Sequence, residues 1–131
     1  MIDFVEDLRT QPLLSDGAMG SYLFERTGRI SETNHVYEAL NVDRADLVHE
    51  VHLTYLQAGA RCLTTNPFSA NRTHLEPLDQ GKRLVEINWA AVDVAHQAIE
   101  AFRAQSGIEL PFYVLGAVGP TSEGHESPHE L

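Results

Sequence analysis

A parallel α/β fold is what this sequence predicts, and three observations predict it. Short apolar runs alternate with helix-period segments in the order strand, helix, strand, helix, strand. The runs begin about 50 residues apart, which leaves each crossover long enough for a right-handed βαβ unit. The strands are nearly all apolar rather than alternating, as expected where a parallel sheet is covered on both faces.

Gln11-Pro12-Leu13-Leu14-Ser15-Asp16 reads as the first strand, entered through Pro12 and ended by Asp16-Gly17. Ala18 to Phe24 and the polar stretch around Gly28 and Asn34 carry no clear period. Asp43 to Ala58 is predicted as a helix, with Asp43 as N-cap, apolar positions from Ala45 to Leu56, and Gly59 at its end. Ala60-Arg61-Cys62-Leu63-Thr64-Thr65 is the second strand, closed by Asn66-Pro67. Lys82 to Ala104 is predicted as a second helix, because Leu84, Ile87, Ala91, Val94, Ala95, Ala98 and Phe102 form one apolar stripe. Gly107 ends it. Pro111 then leads into the third strand, Phe112 to Val118, and Gly119-Pro120 closes that. Residues 121–131 are polar and aperiodic, and read as a loop or disordered end.

Three strands cannot close a barrel, and a (β/α)8 barrel takes about 250 residues. The expectation is therefore that residues 1–131 are an incomplete domain, about three βα units from the N-terminal part of such a barrel. The alternative is a small open three-stranded α/β protein.

Charge and composition exclude several classes of function. Nineteen acidic residues against 9 basic give a net charge of −10, which disfavours binding to a phosphate backbone. No apolar run approaches the roughly 18 residues of a membrane span. The acidic start, Met1 to Asp7, lacks the basic and apolar regions of a secretory signal, so a cytoplasmic location is expected by default. The single cysteine, Cys62, excludes an internal disulfide and a multi-cysteine metal site built from these residues alone.

In parallel α/β folds, chemistry gathers at the carboxyl ends of the strands. All three predicted strands end in signatures of the right kind: Asp16-Gly17-Ala18-Met19-Gly20, Thr64-Thr65-Asn66-Pro67-Phe68-Ser69-Ala70-Asn71, and Gly116-Ala117-Val118-Gly119-Pro120-Thr121. Singly, each is ordinary turn punctuation. Three on one edge suggest a site. A carboxylate at Asp16 suits an amino-acid ammonium group, and the N–H groups of Gly17 and Ala18 suit its carboxylate, since glycine permits close approach.

These signatures, together with Glu38-Ala39-Leu40-Asn41 and Tyr55-Leu56-Gln57-Ala58-Gly59-Ala60, resemble the homocysteine S-methyltransferase family from about Leu8 to Gly124. The resemblance implies a (β/α)8 TIM barrel that transfers a methyl group to the thiol of L-homocysteine. Methyltetrahydrofolate, betaine and S-methylmethionine all serve as donors within the family. It also implies zinc, which would lower the thiol pKa, held by three cysteines that lie outside this chain. Carried over residue by residue, Asp16 would hold the homocysteine amino group and Gly17 and Ala18 its carboxylate, while Thr65, Asn66 and Phe68 would line the pocket. No catalytic residue and no metal ligand is assigned within the chain, which alone is expected to be inactive. Self-association and a fused reductase domain are both open.

Other signals carry less. His125-Glu126-Ser127-Pro128-His129 spells a zinc-protease motif, but Pro128 disfavours the helix that motif needs. His49 and His52 are expected to be solvated, and Cys62 to be a small buried hydrophobe. Trp89 lies off the apolar stripe, where a neighbouring helix or domain would pack. A rival reading, from a different class, is a non-catalytic short half-barrel that associates with itself or a partner.

Overall fold

The computed structural model describes residues 3–27 and 36–120. These form six α-helices, α1 (Phe4–Thr10), α2 (Gly20–Thr27), α3 (Leu40–Asp43), α4 (Ala45–Gln57), α5 (Arg72–Leu75) and α6 (Leu84–Ser106), and two strands, β1 (Cys62–Thr64) and β2 (Tyr113–Leu115). The expected α/β class holds, in a form that is mostly helical around a small parallel sheet. β1 and β2 pair in register, Cys62 with Tyr113, Leu63 with Val114 and Thr64 with Leu115. The second predicted helix is present as α6 with every stripe residue inward or half-buried, and three 3₁₀ turns fill the connections.

The first predicted strand is reduced to one parallel bridge, Ser15 to Cys62. The Asp16 N–H donates to the Cys62 carbonyl at 2.9 Å, and the Cys62 N–H to the Leu14 carbonyl at 3.1 Å. The chain then leaves the sheet for the Gly17–Met19 turn, so the ladder stops there. β2 is also shorter than its apolar run: it is half-buried rather than covered on both faces, and Val118 is 90% exposed.

Two apolar helix faces build the core. Val48, Val51 and Leu56 of α4 meet Val94, Ala95, Ala98, Ile99 and Phe102 of α6, with Leu63 of β1 beneath. Burying each large aliphatic side chain contributes about 1.5–3 kcal/mol. A smaller cluster of Val36, Ala39, Ala70, Leu75 and Ile87 supports the turn after β1.

Two details differ from the sequence reading. Asp43 is the last residue of α3 and not the N-cap of α4; its carboxylate instead takes two hydrogen bonds from Arg83. His52 is not solvated: it is fully buried on the inner face of α4, four residues from both Val48 and Leu56. The acidic start of the chain, to which the sequence reading assigned no element, folds into α1, N-capped by Asp3.

α1 closes the amino-terminal side of the sheet. Its Asp7 is 3% exposed and accepts from Gln11 (2.6 Å), Arg61 (2.8 Å) and Tyr113 (2.9 Å). The Gln11 amide, with help from Tyr113 and Arg61, holds the Asp7 carboxyl below the usual carboxylate range. The polar stretch containing Gly28 and Asn34, and residues 121–131 with their His-Glu-Ser-Pro-His sequence, lie outside the described residues.

Candidate functional site at the carboxyl ends of the strands

Asp16, Gly17 and Ala18 follow the first bridge directly. One Asp16 carboxylate oxygen accepts from the Thr64 backbone N–H at 2.7 Å. Among the described residues the other meets only the Ser15 hydroxyl, at 3.3 Å, and Asp16 is half-buried. The carboxylate is thus anchored on one side and open on the other. Gly17 and Ala18 are exposed beside it. A Cβ on Gly17 would lie 2.9 Å from the Tyr55 hydroxyl, so only glycine fits there without movement. That hydroxyl donates to the Ala18 carbonyl at 2.8 Å.

Thr65 and Asn66 are buried, at 4% and 8% exposure, and their side chains turn inward. The Thr65 hydroxyl donates to the Leu115 carbonyl (3.3 Å) and accepts from the Ala117 N–H (3.0 Å), which extends the β1–β2 ladder beyond both strands. The Asn66 amide donates to the Tyr37 carbonyl (3.2 Å) and to Asn41, and Asn41 returns a bond to the Asn66 carbonyl (3.2 Å). Glu38 receives the Ser69 N–H at 2.9 Å. The Glu38-to-Asn41 segment therefore shapes the turn after β1.

Phe68 is 58% exposed. It lines a recess of about 180 Å³ with Ser69, Asn71, Thr73, His74 and Pro120. Asp16, Gly17 and Ala18 are not among the residues lining it. Gly119 lies against the Phe68 carbonyl, where a Cβ would fall 2.0 Å from the oxygen, so the turns after β1 and β2 are in close contact. All six predicted residues stand at the carboxyl ends of the strands. Asp16, Gly17 and Ala18 form one open turn, Thr65 and Asn66 tie the turn after β1 to the Leu115–Ala117 and Tyr37–Asn41 segments, and Phe68 faces solvent.

The sequence reading missed Tyr55 and Gly119 as supports of these turns. Tyr55 sits in the apolar period of α4 and reads as core. Its acceptor lies 37 residues away in sequence, so the one signal at hand was its place in the Tyr55-to-Ala60 block that carries the family resemblance.

Zinc does not fit the donors in this segment. Among the described residues no three His, Cys, Asp or Glu side chains come together as a ligand set. Cys62, 3% exposed within β1, has its thiol pushed up by burial, which opposes the thiolate form that binds metals.

The homocysteine S-methyltransferase family profile matches residues 13–130. The chain belongs to that family. It is 26% identical over 121 residues to the methionine synthases of Mycobacterium leprae and Mycobacterium tuberculosis, covering 90% of this chain and 10% of each synthase. Among solved structures it is similar to the homocysteine methyltransferase MmuM of Escherichia coli. The metallated form superposes with a TM-score of 0.70 at 31% identity, and the oxidized form with 0.75 at 30%. The alignment covers 86% of this chain and 40% or 39% of those structures, so the chain spans about two-fifths of the solved relatives' length. Among the described residues no helix is long and apolar enough to cross a membrane.

Proposed function

We propose that this chain is the N-terminal part of a (β/α)8 TIM barrel that binds L-homocysteine and accepts a methyl group on its thiol, giving methionine. The observation that carries the reading is the half-anchored Asp16 carboxylate beside the exposed Gly17–Ala18 backbone. Asp16 holds the ligand's ammonium group, and the free N–H groups of the turn receive its carboxylate. Thr65 and Asn66 shape the neighbouring turn after β1, and Phe68 offers an apolar wall. The family relationship and the two solved forms of MmuM support the barrel and the substrate. Zinc belongs to the reading only through ligands outside this chain. When bound, it would supply the thiolate. The donor, whether methyltetrahydrofolate, betaine or S-methylmethionine, is selected elsewhere, and a cytoplasmic location suits this metabolism.

The test is calorimetric titration of the 131-residue chain with L-homocysteine. The wild-type chain binds, and Asp16→Asn binds at least about tenfold more weakly, as expected on losing a charge-assisted hydrogen bond. Equal binding by both chains would refute the assignment. A second reading, a non-catalytic half-barrel that self-associates, is favoured by one feature: Val85, Trp89 and Val92 expose a single apolar face of α6, at 65%, 74% and 40%. Concentration-dependent dimerisation without homocysteine binding would select it.

A further inference from the structure

The geometry points to Tyr55 as the residue that positions the amino-acid turn, by holding the Ala18 carbonyl from below so that the neighbouring N–H groups face the ligand's carboxylate. This inference rests on the homocysteine reading and adds to it a residue that never touches the substrate.

Three observations carry it. First, the Tyr55 hydroxyl donates to the Ala18 carbonyl at 2.8 Å, across 37 residues of sequence. In a trans peptide the carbonyl and the following N–H point in opposite directions. Pinning the Ala18 carbonyl toward α4 therefore turns the Met19 N–H away from α4. Second, the Gly17, Ala18 and Met19 N–H groups donate to no acceptor among the described residues, which leaves three consecutive donors on one short turn. Consecutive backbone N–H groups of this kind make an anion-binding concavity. Third, the Tyr55 ring occupies the space a Gly17 side chain would need, with contacts of 2.9 to 3.3 Å to a built Cβ. The turn therefore rests on the ring as well as on the hydroxyl.

The support is itself rigid. Tyr55 packs between the two larger core clusters, and Tyr22 of α2 lies 6.0 Å away, centroid to centroid. Burial and the nearby Asp16 carboxylate raise the Tyr55 pKa, so the hydroxyl keeps its proton and remains a donor throughout the neutral range. Tyr55 and Asp16 divide the work: the carboxylate recognises the ammonium group, and the phenol sets the direction of the amides that recognise the opposite end of the ligand.

The test uses Tyr55→Phe in the 131-residue chain, because the ring is kept and only the hydroxyl is lost. Two ligands are titrated while the Gly17, Ala18 and Met19 amide signals are followed by NMR. One is L-homocysteine; the other is 3-mercaptopropylamine, which keeps the amine and thiol but has no carboxylate. Tyr55→Phe should shift the three amides and weaken L-homocysteine about five- to tenfold, the size of one lost hydrogen bond. Affinity for 3-mercaptopropylamine should not change, so the preference for the amino acid falls by the same factor. A merely structural role would weaken both ligands together, and that result overturns the inference. So does an unchanged preference, whatever the amides do. If the wild-type chain binds no homocysteine, the homocysteine reading fails and this role fails with it. If the wild type binds and Tyr55→Phe binds equally well, the positioning role fails alone.

Discussion

Acid should unfold this protein early, and His52 supplies the reason. The imidazole is fully buried on the inner face of α4, and neither Nδ1 nor Nε2 has a hydrogen-bond partner among the described residues. Burial, with a smaller contribution from the His49 charge, lowers its pKa from 6.5 to about 4. The folded chain therefore holds this ring neutral, while the unfolded chain protonates it near pH 6.5. Between these two values the unfolded state binds the extra proton, so stability is complete above pH 6.5 and drains away as the pH falls toward 4. The full gap is worth about 3 kcal/mol, and the step from pH 7 to pH 5 removes about 2 kcal/mol of it. That is a large part of the 5–15 kcal/mol typical of a domain. Asp7 and Asp46 are held below the usual carboxylate range, so their own losses fall at lower pH. Urea unfolding at pH 7 and pH 5 measures the effect, with His52→Leu as the comparison. An apolar side chain of similar size leaves no unpaired nitrogen, so that variant should be at least as stable as wild type at pH 7 and lose about 2 kcal/mol less on acidification. Equal losses in the two chains would refute the reasoning.

Two other outcomes follow from the structure. Cys62, buried in β1 with its thiol pKa raised, should react with iodoacetamide far more slowly than a free thiol, and unfolding in urea should restore the ordinary rate; fast labelling of the native chain would show that β1 is open. Gly119→Ala should cost about 1–3 kcal/mol, because its Cβ would collide with the Phe68 carbonyl, whereas Gly116→Ala meets nothing within 4 Å and should leave the thermal midpoint close to wild type.

The legible parts of this fold were those set by periodicity. The stripe from Leu84 to Phe102 and the shorter one in α4 gave both long helices, and the apolar runs around Cys62 and Val114 gave the paired strands. Local chemistry also marked the edge where Asp16, Gly17 and Ala18 open to solvent. What stayed hidden depends on distant partners. His52 is a polar residue type at an apolar position, and only the facing helix decides that it is buried. α1 has no strong stripe because what turns inward is Asp7, whose partners Arg61 and Tyr113 lie 54 and 106 residues away. Thr65 and Asn66 look like lining residues, and only the Leu115, Tyr37 and Asn41 contacts show the Thr65 hydroxyl and the Asn66 amide nitrogen turned toward the protein's own acceptors.

The Asp7 cluster also orders the assembly of the chain in time. During synthesis the N-terminal helix emerges first, yet its carboxylate has no guanidinium to meet until Arg61 has left the ribosome. The phenol of Tyr113 arrives later still. Doubling a loop adds little to the entropy of closing it, so the second closure is delayed by the order of translation more than by its thermodynamic cost. Among the described residues Gln11, four residues on, is the one partner of the Asp7 carboxylate that is local in sequence; the other two stand beside it only when the segments entering β1 and forming β2 are together. A fully seated α1 therefore requires that the chain between residue 7 and residue 113 has already brought Arg61 and Tyr113 side by side.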